Sequence, residues 1–136
     1  MGIIILDTCV LADLADPNSD WFEWSAATLE RLDSENVFVI NPVIYAEISV
    51  GYESIEEVEG LVNGLGLEIR HMAREALFLA GKVFLQYRRN QGQRTSVLPD
   101  FFIGAQAAVE KYQLMTRDRG RFSTYFPSVP LIVPIS

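Results

Sequence analysis

Residues 3–6, Ile3-Ile4-Ile5-Leu6, form an unbroken apolar run, mostly β-branched, that stops at Asp7. Branched side chains pack well on a pleated surface, and a strand without polar alternation has both of its faces covered. Few architectures cover both faces of a strand. The simplest is a parallel sheet between two layers of helices. The residues that follow, Val10-Leu11-Ala12-Asp13-Leu14-Ala15, have helical spacing. A carboxylate, Asp7, therefore stands where a buried strand hands over to a helix. In open α/β sheets that edge, outside the carboxyl ends of the strands, is where ligands bind.

The alternation continues along the chain. Asp16-Pro17-Asn18-Ser19 reads as a turn, and Asp20 with Glu23 three residues on reads as a capping box opening a helix to about Asp33. The aromatic load of that helix, Trp21, Phe22 and Trp24, suits core packing or a partner groove. Val37-Phe38-Val39-Ile40 is a second buried strand, and Asn41-Pro42 supplies an N-cap and first-turn proline for the helix running to Gly51. Ser54 to Leu65 reads as a helix with Glu56, Glu57 and Glu59 facing solvent, and Leu67-Glu68-Ile69 as a short strand. A long helix is expected from Ala73 to Arg89, with Ala76, Leu77, Ala80, Val83, Phe84 and Tyr87 inward, followed by a polar loop over Asn90–Arg94. Leu98-Pro99-Asp100 opens a further helix to Tyr112, and Leu114-Met115-Thr116 is a strand. Gly120, Ser123 and Pro127 mark a turn-rich stretch before a last strand, Leu131-Ile132-Val133. Strands alternating with helices predict an α/β fold, a three-layer α/β/α sandwich with a central, mainly parallel sheet. At 136 residues, with no repeat or linker, one domain over residues 1–136 is expected.

Several classes fall away. The lone cysteine, Cys9, allows no internal disulfide. His71 is the only histidine and has no second histidine or cysteine at ligand spacing, which argues against zinc. No secretory signal is read at the start, and no stretch approaches the roughly 18 apolar residues of a membrane span, so a cytoplasmic protein is expected. The net charge of −7 argues against a nucleic-acid partner, but its distribution does not. Residues 82–121 hold eight basic residues, among them Arg88, Arg89, Arg94, Arg117, Arg119 and Arg121, against three acidic ones. That stretch is +5 and the remainder −12, so these arginines are candidates for phosphate contact, with solvated helix faces as the plainer alternative.

Among the acids, Glu47 is the odd one. Its helical neighbours are Val43, Ile44, Val50 and Gly51, and burying it unpaired would be costly. Asp100, in a first helical turn, has a simple explanation in the helix dipole. Asp13 carries no role in this reading. Asp7 and Asp118 follow buried strands, so Asp7, Glu47, Asp100 and Asp118 can all reach one edge of the sheet. Four carboxylates with no matching basic residue in each motif would repel one another unless a hard divalent cation joins them. Oxygen ligands point to Mg²⁺ or Mn²⁺. Such ions can activate water and offset charge on a phosphodiester.

The motifs Leu6-Asp7-Thr8-Cys9-Val10, Glu47-Ile48 with Gly51, Leu98-Pro99-Asp100 with Ile103 and Ala105, and Thr116-Arg117-Asp118 with Phe122 occur in order over residues 6–122. In these the chain resembles PIN-domain ribonucleases, and among them the VapC toxins of toxin–antitoxin pairs. The resemblance implies a metal-dependent endoribonuclease, the toxin of a type II pair that blocks translation. It implies Asp7, Glu47, Asp100 and Asp118 as ligands of Mg²⁺ or Mn²⁺, directly or through water. Thr8 and Thr116 are implied as hydroxyls orienting those carboxylates or a bound water. An RNA substrate, a cognate antitoxin and a homodimer follow as expected partners, and no membrane.

Two alternatives stand beside it. A catalytically silent PIN-like module would bind RNA or protein. A phosphatase of the HAD type would need a second aspartate two residues after Asp7, where this chain has Cys9. Cys9 as a nucleophile lacks a glycine-rich anion loop around it.

Overall fold

A computed structural model of the chain describes residues 2–90, 92–93 and 97–135. Its strands are β1 (Gly2–Leu6), β2 (Asn36–Ile40), β3 (Glu68–Ile69), β4 (Gln113–Met115) and β5 (Leu131–Ile132). They form one sheet in the order β3-β2-β1-β4-β5, and every pairing is parallel. Its α-helices are α1 (Thr8–Leu14), α2 (Phe22–Leu32), α3 (Pro42–Ser49), α4 (Ile55–Gly64), α5 (Arg74–Arg89), α6 (Leu98–Glu110) and α7 (Arg119–Tyr125). The expected α/β sandwich is present, with helices flanking a sheet that is parallel throughout the described residues. Among those residues no helix is long and apolar enough to cross a membrane.

The buried runs explain the layering. Ile4, Ile5 and Leu6 of β1, Val39 and Ile40 of β2, and Leu114 and Met115 of β4 are all 0 % exposed. Consecutive residues point to opposite faces of a sheet, so both faces are covered at those strands. Burial in β1 and β2 deepens toward the carboxyl end, where the first two residues are half-buried and the last three buried. The chain leaves β1 toward β2 on one side, and β4 pairs on the other. The carboxyl ends of β1 and β4 therefore flank the crevice of a topological switch point.

Local signals account for most boundaries. Asn41 caps α3 by accepting from the Ile44 amide at 2.8 Å, with Pro42 in the first turn. Ser54 caps α4 by accepting from the Glu57 amide. Four details differ from the sequence expectation. First, Asp20 does not cap α2. The helix starts at Phe22 without a side-chain cap, and Ser19 takes the turn, accepting from the Trp21 amide at 3.2 Å. Ser19 wins because its hydroxyl also donates to Asp13 at 2.7 Å. Second, the stretch around Gly120 and Ser123 is helix α7, with Asp118 as its cap accepting from the Arg121 amide. Third, Leu77 is 42 % exposed, and Ala76, Ala80 and Val83 form the buried face of α5. Fourth, Glu59 is not simply solvated: it accepts from the Tyr45 hydroxyl at 2.6 Å.

Candidate active site

Asp7 is 5 % exposed and caps α1, its Oδ1 accepting from the Thr8 amide at 2.8 Å. Its Oδ2 accepts from the Thr116 hydroxyl at 2.7 Å and the Cys9 thiol at 3.4 Å. Thr116, fully buried just past β4, also accepts from the Asp118 amide at 2.9 Å. One hydroxyl thus joins the loops at the carboxyl ends of β1 and β4. The Thr8 hydroxyl donates to Glu47 Oε1 at 2.6 Å, tying the start of α1 to α3. Asp100 enters from the first turn of α6 and Asp118 from the cap of α7. Asp7, Thr8, Cys9, Glu47, Asp100, Arg117 and Asp118 line one cleft of about 450 Å³. The four acids and two threonines singled out from the sequence are thereby brought together.

Their environment is electrostatically loaded. Burial raises the Asp7 carboxyl above the ordinary aspartate value, and the charge of Asp118 adds to the rise. Hydrogen bonds from Thr116, Cys9 and the Thr8 amide oppose it. Burial, then the charge of Asp7 and less strongly that of Glu47, push Asp100 up to about 6, against the opposing pull of Arg121. Burial and the charge of Asp7 push the Cys9 thiol up to about 12. It stays protonated at neutral pH and acts as a donor to Asp7, which excludes it as a thiolate nucleophile. The inward-facing donor atoms of the quartet are all oxygen, the set that suits a hard divalent cation. Among the described residues, however, no group of three or more His, Cys, Asp or Glu side chains stands arranged to hold a metal ion.

A basic residue read from the sequence only as a candidate phosphate contact is instead paired with the quartet. Arg121 pairs with Asp100, and its Nη1 is 3.5 Å from Asp118 Oδ2. The quartet is therefore not without a matching cation. The spacing of Asp118 and Arg121, three residues apart on a helix, could have signalled half of this arrangement. Arg117 is likewise engaged. Its Nε is 2.7 Å from Asp13 Oδ2, and its guanidinium lies 5.6 Å from the centre of the Trp21 ring. Asp13, which had no assigned role, is a buried anchor. Arg88 and Arg89 are exposed in the last turn of α5, with Arg88 over the Phe84 ring, and Arg119 is exposed at the start of α7. Arg94 lies outside the described residues.

A second polar network sets the helices that carry Glu47 and Asp100. Asn41 and Gln106 are both 0 % exposed, and the Asn41 amide donates to Gln106 Oε1 at 2.9 Å. Gln106 donates in turn to the backbone oxygens of Arg70 and His71 at 3.3 Å. Buried amides are costly unless bonded, so this network fixes how α3 and α6 sit against each other and against the end of β3.

The PIN domain family model matches residues 4–125. The chain belongs to the PIN domain family. PIN domains are generally nucleases. No curated protein matches the chain by sequence. Among solved structures this PIN domain is similar to VapBC2 from Rickettsia felis, bound to a DNA fragment from its promoter. The identity is 20 %, the TM-score 0.76, and the match covers 98 % of this chain and 99 % of that one. It is similar to a toxin–antitoxin complex from Klebsiella pneumoniae at 20 % identity and TM-score 0.68, covering 98 % of each chain. It is also similar to VapC20 of Mycobacterium tuberculosis, a toxin that cleaves the sarcin–ricin loop. There the identity is 15 % and the TM-score 0.64, over 96 % of this chain and 99 % of that one. At such identities the likeness is one of fold.

Proposed function

We propose that this PIN domain, as one unit over residues 1–136, is a metal-dependent endoribonuclease that hydrolyses RNA phosphodiester bonds. In this reading it is the toxin of a type II toxin–antitoxin pair and acts in the cytoplasm by blocking translation. The observation that carries the reading is the convergence of Asp7, Glu47, Asp100 and Asp118, from four separate stretches of sequence, on one cleft at the switch point of the sheet. Those four residues would hold Mg²⁺ or Mn²⁺. Such an ion, when bound, supplies a more acidic water and offsets charge on the phosphodiester.

The remaining work falls to the chain itself. Thr116 holds Asp7 Oδ2 and the Asp118 amide together, so the two carboxylates keep one relative placement. Thr8 holds Glu47 Oε1 and leaves the second oxygen of that carboxylate for other partners. Arg88, Arg89 and Arg119 are exposed cations suited to the RNA backbone, and Arg94 belongs to the same group in this reading. Arg117 and Arg121 are tied to acids, which makes them weaker candidates for direct phosphate contact. The likeness of fold to toxin–antitoxin complexes supports a cognate antitoxin as partner, and a homodimer belongs to the same reading.

One observation favours a second reading, a silent RNA- or protein-binding module: Arg121 already neutralises part of the quartet. Cleavage assays on single-stranded RNA and on p-nitrophenyl phosphate, each with Mn²⁺ and with EDTA, separate the two. The nuclease reading expects RNA cleavage with Mn²⁺ alone, lost by orders of magnitude in Asp7→Asn, and no action on the phosphomonoester. Asp7→Asn cleaving as fast as the parent would return the silent module as the better account.

A further inference from the structure

Arg117 lines the cleft and Arg121 pairs with two of its acids, and the two arginines are held differently. Arg117 leans on Asp13, an acid outside the quartet, so its ion pair can persist whatever the quartet binds. The acid partners of Arg121 among the described residues are Asp100 and Asp118, both inside the quartet. Those two carboxylates arrive from different elements, the first turn of α6 and the cap of α7. A single guanidinium joins them. Any other cation that uses the same two oxygens, Asp100 Oδ2 and Asp118 Oδ2, must take its place.

We propose that Arg121 is the resident counter-ion of the cleft, and that a divalent cation binds by displacing it from Asp100 and Asp118. The proposal rests on the metal reading given above and adds to it a residue that sets how tightly the metal is held. The physical balance is close. A divalent cation offers twice the charge of a guanidinium but must give up strongly held water, whereas a guanidinium is weakly hydrated. Arg121 therefore stabilises the unloaded protein, in which four carboxylates would otherwise face one another, and it weakens metal binding by the same interaction. It is not consumed or titrated in the exchange. It moves from one set of partners to solvent or to another acid.

Calorimetric titration of MnCl₂ at pH 8 into the parent, Arg121→Gln and Arg121→Lys tests this. Arg121→Gln is shorter but keeps a polar amide donor, and it removes the competing charge. It should bind Mn²⁺ about fivefold or more tightly than the parent, the lower end of ordinary coupling between sites. Arg121→Lys keeps the charge and should stay near the parent. In EDTA the order reverses, and Arg121→Gln should melt below the parent. A second measurement needs no variant to fold: in ¹⁵N side-chain spectra of the parent, the Arg121 guanidinium signal should lose its hydrogen-bonded position as Mg²⁺ saturates, while that of Arg117 keeps its own. Equal Mn²⁺ affinity in the parent and Arg121→Gln leaves the metal reading standing and overturns this proposal alone. Weaker binding by Arg121→Gln does the same, since Arg121 would then support the metal. No binding by any of the three proteins removes the metal from the cleft, and this proposal with it.

Discussion

Replacing Asp13 by alanine removes one end of an ion pair that anchors Arg117, a residue lining the cleft. The Asp13 side chain is 8 % exposed and accepts from Arg117 Nε at 2.7 Å and Nη2 at 3.4 Å, while the Arg117 side chain is 32 % exposed. Asp13 also accepts from the Ser19 hydroxyl at 2.7 Å. Breaking a fully buried pair by deleting one partner costs about 3–5 kcal/mol, whereas a surface pair contributes about 0–1 kcal/mol. Here the acid is buried and the base keeps a third of its surface in water, so the guanidinium recovers part of its hydration. We expect a loss of about 2–3 kcal/mol. Over the 136 residues of the chain, an unfolding entropy of about 2.1 cal/mol/K per residue converts this to a melting point lower by roughly 7–10 °C. Thermal melts of the parent, Asp13→Ala, Arg117→Ala and the double variant, all in EDTA, provide the measurement. The double variant should melt little below the worse single one, because each single change already breaks the pair. An Asp13→Ala midpoint within about 2 °C of the parent would refute the reasoning from burial. Because Asp13 holds Arg117 at the cleft, it is no neutral position for a cleavage control. Glu56, exposed on α4, serves better.

Three further outcomes are expected. Thr116→Val keeps the shape of a fully buried side chain but strips a donor from Asp7 and an acceptor from the Asp118 amide. It should cost about 1–3 kcal/mol by urea titration, and an unchanged midpoint would show that neither bond matters to folding. Asp100, pushed from 3.8 to about 6, is an acid whose folded value lies above its unfolded one. Its ionisation therefore destabilises the fold, a penalty absent below about pH 4 and complete above about pH 6. Asp100→Asn in EDTA should raise the melting point at pH 8 and leave it unchanged at pH 3.5, and a lower melting point at pH 8 contradicts the sign. A methyl group at Gly104 would stand 2.3 Å from the ring of Phe126, itself buried at 3 % exposure. Gly104→Ala should therefore destabilise by about 1–3 kcal/mol despite its better helix propensity, and a more stable protein would show that the ring can yield.

Features that depend on neighbours in sequence were legible in advance. The run Ile3–Leu6 required a strand covered on both faces because alternate residues of a strand face opposite ways, and the structure buries its last three residues completely. Asn41-Pro42 marked the start of α3 because capping uses groups within three residues of each other. The lone glutamate among apolar neighbours on α3 pointed to the cleft it lines. What the tertiary structure alone decided are the pairings across the chain. Thr116 reaches Asp7 over 109 residues, Arg117 reaches Asp13 over 104, and Asn41 reaches Gln106 over 65. A carboxylate next to a strand end reads the same whether its partner is a hydroxyl, an arginine or a metal ion. Its protonation and its partner are set by burial and by charges that only the folded sheet brings near. Arg121 shows both sides of this: its place three residues after Asp118 is written in the sequence, while Asp100 becomes its second partner only because α6 and α7 converge on the same cleft.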